Sequence, residues 1–287
     1  MSRCRWLVTG AAGLLGQDLV GALQTAEEAV VPLTRPDLDI TDPVAVLAAV
    51  RRYQPDVIVN CAAWTAVDEA ESNEQAALSV NGHGPAHLAT ACSGRKTRLI
   101  HISTDYVFSG DASRPYSEHA IPGPRTIYGR TKLAGEEAVR RLLPGSGYVV
   151  RTAWLFGAHG QNFVSTMIKL ARERSTARVV DDQRGQPTWA ADVAHQIIAL
   201  VRLGAPADIY HATSSGETTW FGLAREVFRL AGADQALVTP GRSADFPHTA
   251  PRPAFSVLGH DAWSQTAIEP IDEWRRALLR SFPQLSA

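Results

Sequence analysis

Residues 5–16 read RWLVTGAAGLLG. A short apolar run ends at Thr9, turns through glycines spaced three apart, and continues into a leucine-bearing stretch with helical spacing. That order is the first strand–turn–helix unit of a parallel α/β sheet. Gly10 permits the tight turn, Gly13 lets the backbone approach a pyrophosphate, and Gly16 lets helix and strand pack closely. The helix N-terminus then favours the anion. Ala12, Leu14 and Leu15, set between these glycines, are candidate cofactor-lining positions with them.

The same texture repeats outward. AVVPL (29–33), DVIVNCAA (56–63), RLIHIST (98–104) and YVVRTAW (148–154) are continuously apolar, as strands buried on both faces of a parallel sheet are. Helical spacing fills 14–24, 43–53, 73–92 and 130–142 between them. The expected fold is therefore α/β: a Rossmann-type doubly wound parallel sheet over residues 1–154. Beyond Trp154 the pattern is less regular. Helices are expected at 162–173, 191–203, 219–231 and 271–281, strands near 178 and at 209–213, and a proline-rich connector runs from Pro240 to Pro253. Residues 155–287 are expected to form a smaller α/β substrate lobe, with some chain crossing back to the first domain.

Composition narrows the function classes. The 28 basic and 29 acidic residues leave a net charge of −1, so no global field draws nucleic acid or an anionic membrane. Any anion must be bound locally. The three cysteines have no CxxC spacing, and no apolar run approaches the roughly 18 residues of a membrane span. A cytoplasmic protein with reduced thiols is expected. No metal site is expected either: His83 and His87 lie four apart without a third ligand at a useful interval, so they read as helix-surface histidines.

Two further stretches carry chemistry. The second strand ends VPLTRPDLDI, where Arg35 rather than a carboxylate stands near the tip; a guanidinium there pairs with a ribose 2′-phosphate, favouring NADPH and leaving NADH as the alternative. TIYGRTKLAGEEA (126–138) puts Tyr128 and Lys132 four apart at a helix start, hence on one face. Glu136 and Glu137 read as solvent-facing helix residues. HISTDYVFSG (101–110) places Ser103, Thr104, Asp105 and Tyr106 at a strand end, a run suited to handling oxygen atoms.

Glycine turn, hydroxyl-bearing strand end and YxxxK, in that order, resemble the extended, sugar-nucleotide branch of the short-chain dehydrogenase/reductase superfamily. STDYVFSG, YGRTKLAGE, RTAWLFG, NFV, VVDDQRGQPT and APRPAFSVL together, over nearly the whole chain, are similar to the dTDP-4-dehydrorhamnose reductases of that branch. The resemblance implies that Thr104, Tyr128 and Lys132 are catalytic: Tyr128 as acid or base, Lys132 lowering its pKa and holding the nicotinamide ribose, Thr104 on the carbonyl. The related 4,6-dehydratases carry a glutamate where Tyr106 stands, so the expected reaction is plain reduction of a dTDP-4-keto-6-deoxyhexose. By the same resemblance Asp39 and Ile40 flank the adenine, though Asp39 could equally cap the helix near Pro43. Ala62, Ala63 and Thr65 line the cofactor. Asp105, Tyr106, Trp154, Asn162, Gln183 and Arg252 contact the sugar nucleotide. The first domain would hold NADP(H) and the second the sugar nucleotide, in a monomer or homodimer. Leu14 and Thr126 depart from residues common in the family, leaving room for a different sugar. The runners-up are a 4-ketoreductase for another dTDP-deoxysugar and a non-catalytic regulatory subunit like that of methionine adenosyltransferase.

Overall fold

The computed structural model describes residues 4–286. From the N-terminus the chain runs β1 (Arg5–Thr9), α1 (Leu14–Thr25), β2 (Ala29–Leu33), α2 (Pro43–Tyr53) and β3 (Val57–Asn60), followed by the short helices α3 (Val67–Ala70) and α4 (Glu74–Leu78). A π-helical turn, Ser79–His83, joins α4 to α5 (Gly84–Cys92). The expected single helix over 73–92 is thus interrupted, and Asn81 in the turn is the reason it matters. Its side chain accepts from the Trp64 amide at 2.9 Å and donates to the Trp64 carbonyl and to Thr131 Oγ1. β4 (Arg98–Thr104), α6 (Ile127–Leu142) and β5 (Gly147–Thr152) complete the first half.

After β5 come β6 (Leu155–Phe156), α7 (Phe163–Arg172), β7 (Ala177–Val180), β8 (Arg184–Gly185), β9 (Thr188–Trp189) and α8 (Ala190–Arg202). They are followed by β10 (Ile209–His211), β11 (Thr218–Thr219), α9 (Trp220–Leu230), β12 (Val238–Gly241) and α10 (Trp274–Leu285). The start of the proline-rich connector is a strand, since β12 pairs in parallel with β7.

Six described strands form one parallel sheet in the order β10-β5-β4-β3-β1-β2. The order reverses between β1 and β3, and ligands of open parallel sheets bind at the carboxyl ends of the strands beside such a reversal. Apolar side chains fill both faces, as the continuous hydrophobic runs require. One face holds Leu15, Leu19 and Leu23 of α1 with Val193, Ile197 and Leu200 of α8. The other holds Val46 and Val50 of α2, Leu88 of α5 and Val139 of α6.

The chain after Trp154 divides between two cores. α8, Tyr210 of β10, Trp263, Ile268 and Ile271 join the sheet. Met167 and Ile168 of α7, Leu223 and Phe228 of α9, Val179, Val238, Trp274 and Leu278 build a separate cluster. That cluster stands beyond the carboxyl ends of the strands and leaves an open space between.

Candidate active site

The space is a cavity of about 1110 Å³, lined on one side by the glycine turn and the ends of β3, β4 and β5, and on the other by α7, β7 and the segment around Arg252. Gly10, Ala12, Gly13, Leu14, Leu15 and Gly16 all line it. Gly10 has φ +64°, and a Cβ there would lie 2.5 Å from the Ala62 amide nitrogen; one on Gly16 would lie 2.3 Å from the Gly10 carbonyl oxygen. No side chain larger than hydrogen fits either place. α1 has no side-chain cap on Gly13 and no acidic residue in its first turn, so its leading amides are available to an anion.

Arg35 and Thr34 line the same end of the cavity. The carboxylate nearest in sequence, Asp37, accepts from the Thr34 amide at 2.9 Å and hydroxyl at 2.6 Å, bonds that hold its pKa below the usual range. The cationic side chain therefore faces this end of the cavity while the acid is tied into the turn. Cradle, free amides and Arg35 fit a dinucleotide carrying a 2′-phosphate.

Ala63 and Thr65 line the cavity, whereas Asp39, Ile40 and Ala62 do not. Asp39 accepts from Thr41 in a local turn, and the cap of α2 is Asp42, so the alternative capping role expected for Asp39 belongs to its neighbour three residues on. Ile40 is core, packed with Val46, Leu88 and others, and its carbonyl meets His87 Nδ1. Ala62 packs beneath the glycine turn.

Thr104, Tyr128 and Lys132 converge on the cavity. Thr126 opens α6, its hydroxyl accepting from the Gly129 amide at 2.9 Å, and this cap fixes where the helix begins. Tyr128 and Lys132 then project from successive turns of one face. Burial pushes the Tyr128 phenol up to about 12, against the pull of its hydrogen bond with Thr104. Burial also brings Lys132 down to about 8, opposed by the Glu136 carboxylate. Lys132 Nζ donates to the Ile102 carbonyl at 2.5 Å, and the shift of the Tyr128 phenol is set chiefly by burial. A protonated phenol at neutral pH is a proton donor.

Asp105 and Tyr106 also line the cavity. The Tyr106 ring stands edge-on to Tyr128 at 5.5 Å. Burial lifts Asp105 to about 6, opposed by the nearby Ser256 and Thr104 hydroxyls; Thr104 Oγ1 donates to Oδ1 at 2.9 Å, and Oδ2 has no partner among the described residues.

On the far wall Trp154 stacks on Trp220 at 3.6 Å, with Phe163 tilted against Trp220. Trp154 has φ +46°, a conformation that costs a large residue about 1–3 kcal/mol and that the stack holds. Gln183 reaches the cavity and donates to Ser243 Oγ at 2.9 Å. Arg252 lines it too, ion-paired through Nη2 to Asp68 of α3, with Nη1 buried and without a partner among the described residues. Asn162 is the exception. It lies outside the cavity and is the N-cap of α7, exchanging hydrogen bonds with Ser165 and donating to the Gly157 carbonyl.

Several cavity residues had no signal in the sequence. Thr152 presents a buried hydroxyl without a partner among the described residues, and Trp220, Phe163, Arg178, Phe246 and His248 come from the irregular second half. Glu136 reverses its expected role: it is buried and paired with Arg151. Its place four residues after Lys132 was the available clue. Among the described residues no three His, Cys, Asp or Glu side chains converge into a metal-binding group, and no helix is long and apolar enough to cross a membrane.

Comparison with known proteins agrees in kind. The family model described as RmlD substrate binding domain matches residues 4–286. A dTDP-4-keto-6-deoxy-D-glucose reductase of Streptomyces niveus is 55% identical over 283 residues, covering 99% of this chain and 98% of that one. A dTDP-4-dehydrorhamnose reductase of Streptomyces griseus is 54% identical over 287 residues, covering 99% and 94%. Among solved structures, the dTDP-4-dehydrorhamnose reductase of Bacillus anthracis in complex with NADP superposes with a TM-score of 0.94 at 36% identity, covering 99% of this chain and all of that one.

Proposed function

The chain belongs to the RmlD substrate-binding-domain family, and from that premise we propose that it is an NADPH-dependent oxidoreductase that reduces the 4-keto group of a dTDP-4-keto-6-deoxyhexose. The product assigned first is dTDP-L-rhamnose from dTDP-4-dehydro-L-rhamnose. The observation that carries this reading is a single cavity joining the glycine cradle, Thr104, Tyr128 and Lys132, and the aromatic wall of Trp154 and Trp220.

Bound NADPH supplies the hydride. The glycine turn and the α1 amides would hold its pyrophosphate, and Arg35 its 2′-phosphate. Thr104 hydrogen-bonds the keto oxygen, so that charge is met where it develops. As carbon-4 gains the hydride, the carbonyl π electrons become an oxygen lone pair and Tyr128 delivers its phenolic proton to that oxygen. The ammonium of Lys132, on the same helix face, stabilises the phenolate left behind. Trp154 walls the sugar, Gln183 and Tyr106 supply polar edges, and Arg252 Nη1 is a free donor for the diphosphate. In this reading the sheet half of the chain holds the cofactor and the cluster beyond Trp154 holds the sugar nucleotide.

A second reading, reduction of a different dTDP-4-keto sugar with its own configuration at carbon-4, is favoured by the Streptomyces niveus relative, whose name specifies a D-glucose derivative. Purified protein should consume NADPH, read by its absorbance, on addition of dTDP-4-dehydro-L-rhamnose or dTDP-4-keto-6-deoxy-D-glucose. Product NMR assigns the configuration and separates the two readings. Cofactor binding without turnover of either sugar would instead favour a regulatory protein.

A further inference from the structure

Tyr128, Lys132 and Glu136 occupy successive i, i+4 positions on α6, and the third is as inaccessible as the second: Glu136 is 1% exposed and Lys132 2%. Arg151 of β5, opposite Ser103 in the β4 register, is also 1% exposed and grips both Glu136 oxygens, Nε on Oε1 at 2.8 Å and Nη2 on Oε2 at 2.6 Å. Its remaining nitrogen donates to the Glu118 carbonyl at 3.2 Å and faces His211 Nε2 at 3.4 Å, while its guanidinium lies over the Phe108 ring. A buried ion pair of this kind is a poor source of stability, since well-packed apolar residues of equal volume serve as well or better. Its position one helical turn after the active-site lysine supplies another reason for it.

We propose that the Arg151–Glu136 fork is a positioning pair for Lys132, fixing a carboxylate behind the ammonium so that the lysine stays charged and α6 stays in register with β5 during reduction. The proposal rests on the role given to Lys132 above. The other groups around the ammonium cannot replace Glu136. Cys61 at the end of β3 is a thiol pushed up to about 12 by burial, and His101 of β4 is held neutral by burial and by Lys132 itself. Tyr128 on the same helix is protonated, and Asp105 at the end of β4 accepts from the Thr104 hydroxyl. Arg151 in turn keeps Glu136 ordered and tempers its field, so the two partners act on Lys132 with opposite sign.

That opposition gives the test. In Glu136→Gln the high-pH limb of kcat/KM moves down by on the order of one pH unit or more. In Arg151→Met it moves up, and in the double variant it falls between the singles. The same order should appear in the titration of Lys132 Nζ followed by NMR on ¹⁵N-lysine-labelled protein, where Lys96 and Lys169 are the other lysines. If Glu136→Gln does not fold, Arg151→Met titrating above the double variant supports the proposal. Coincident titrations of parent and variants, or singles shifting in the same direction, overturn it, because a purely structural pair would lower stability and rate without opposed shifts. A parent protein that reduces neither sugar would defeat the functional reading, while the Lys132 titration would still decide this one.

Discussion

The roles proposed for Tyr128, as proton donor, and for Lys132, as the cation that stabilises the phenolate, make separable demands. Tyr128→Phe keeps the ring against Tyr106 but removes the proton, so kcat should fall about 10²–10⁴-fold while the affinity for NADPH, read by fluorescence titration, is unchanged. A near-parental rate would take the phenol out of the chemistry. For the pH profile the sign follows from Lys132: the ammonium is present below about 8 and lost above it, so kcat/KM should be level through neutrality and decline as pH rises through that value. A profile still level at pH 10 would show that the ammonium is not required. Residue by residue, the convergence of Thr104, Tyr128 and Lys132 on one cavity was legible because their spacing is local to one helix and one strand end. Glu136 was not. Beyond its spacing four residues after Lys132, nothing in the sequence announces that an arginine fifteen residues on, in the next strand, will bury it.

Elements were legible in proportion to how local their causes are. The continuously apolar runs became β1 to β5 because burial on both faces is written in each run, yet β3 stops at Asn60, three residues short of the expected end, where the chain turns along the cavity. The interruption of the 73–92 helix depends on Asn81 reaching Trp64 and Thr131, contacts no periodicity encodes; π-helical turns of this kind are common beside functional sites. Asn162, a family position expected to contact the sugar nucleotide, lies outside the cavity and caps α7. Asn162→Ala should therefore cost about 1 kcal/mol of stability in urea unfolding, the usual worth of such a cap, and leave KM for the sugar nucleotide unchanged. A raised KM at parental stability would restore the ligand role.

Over the whole molecule the near-zero net charge means that two anionic ligands must be held by a few placed cations rather than by a field. Arg35 and Arg252 both line the cavity. Arg252 also ties the chain's two halves together: its Nη2 and the Ala250 amide both bond to Asp68 of α3. This brings a late segment against an early helix, an arrangement that sequence order conceals. With Nη1 buried and without a partner among the described residues, the side chain stands ready for an acceptor at a cost that a bound diphosphate would relieve. Arg252→Met should raise KM for the dTDP-sugar at least about tenfold, since charge-assisted hydrogen bonds contribute about 1.5–3 kcal/mol, and leave NADPH affinity unchanged. Asp68→Asn, which loosens the tie but spares the donor, should raise KM less. Should Asp68→Asn prove the more damaging of the two, Arg252 serves as a strap between the halves and the diphosphate is held elsewhere in the cavity.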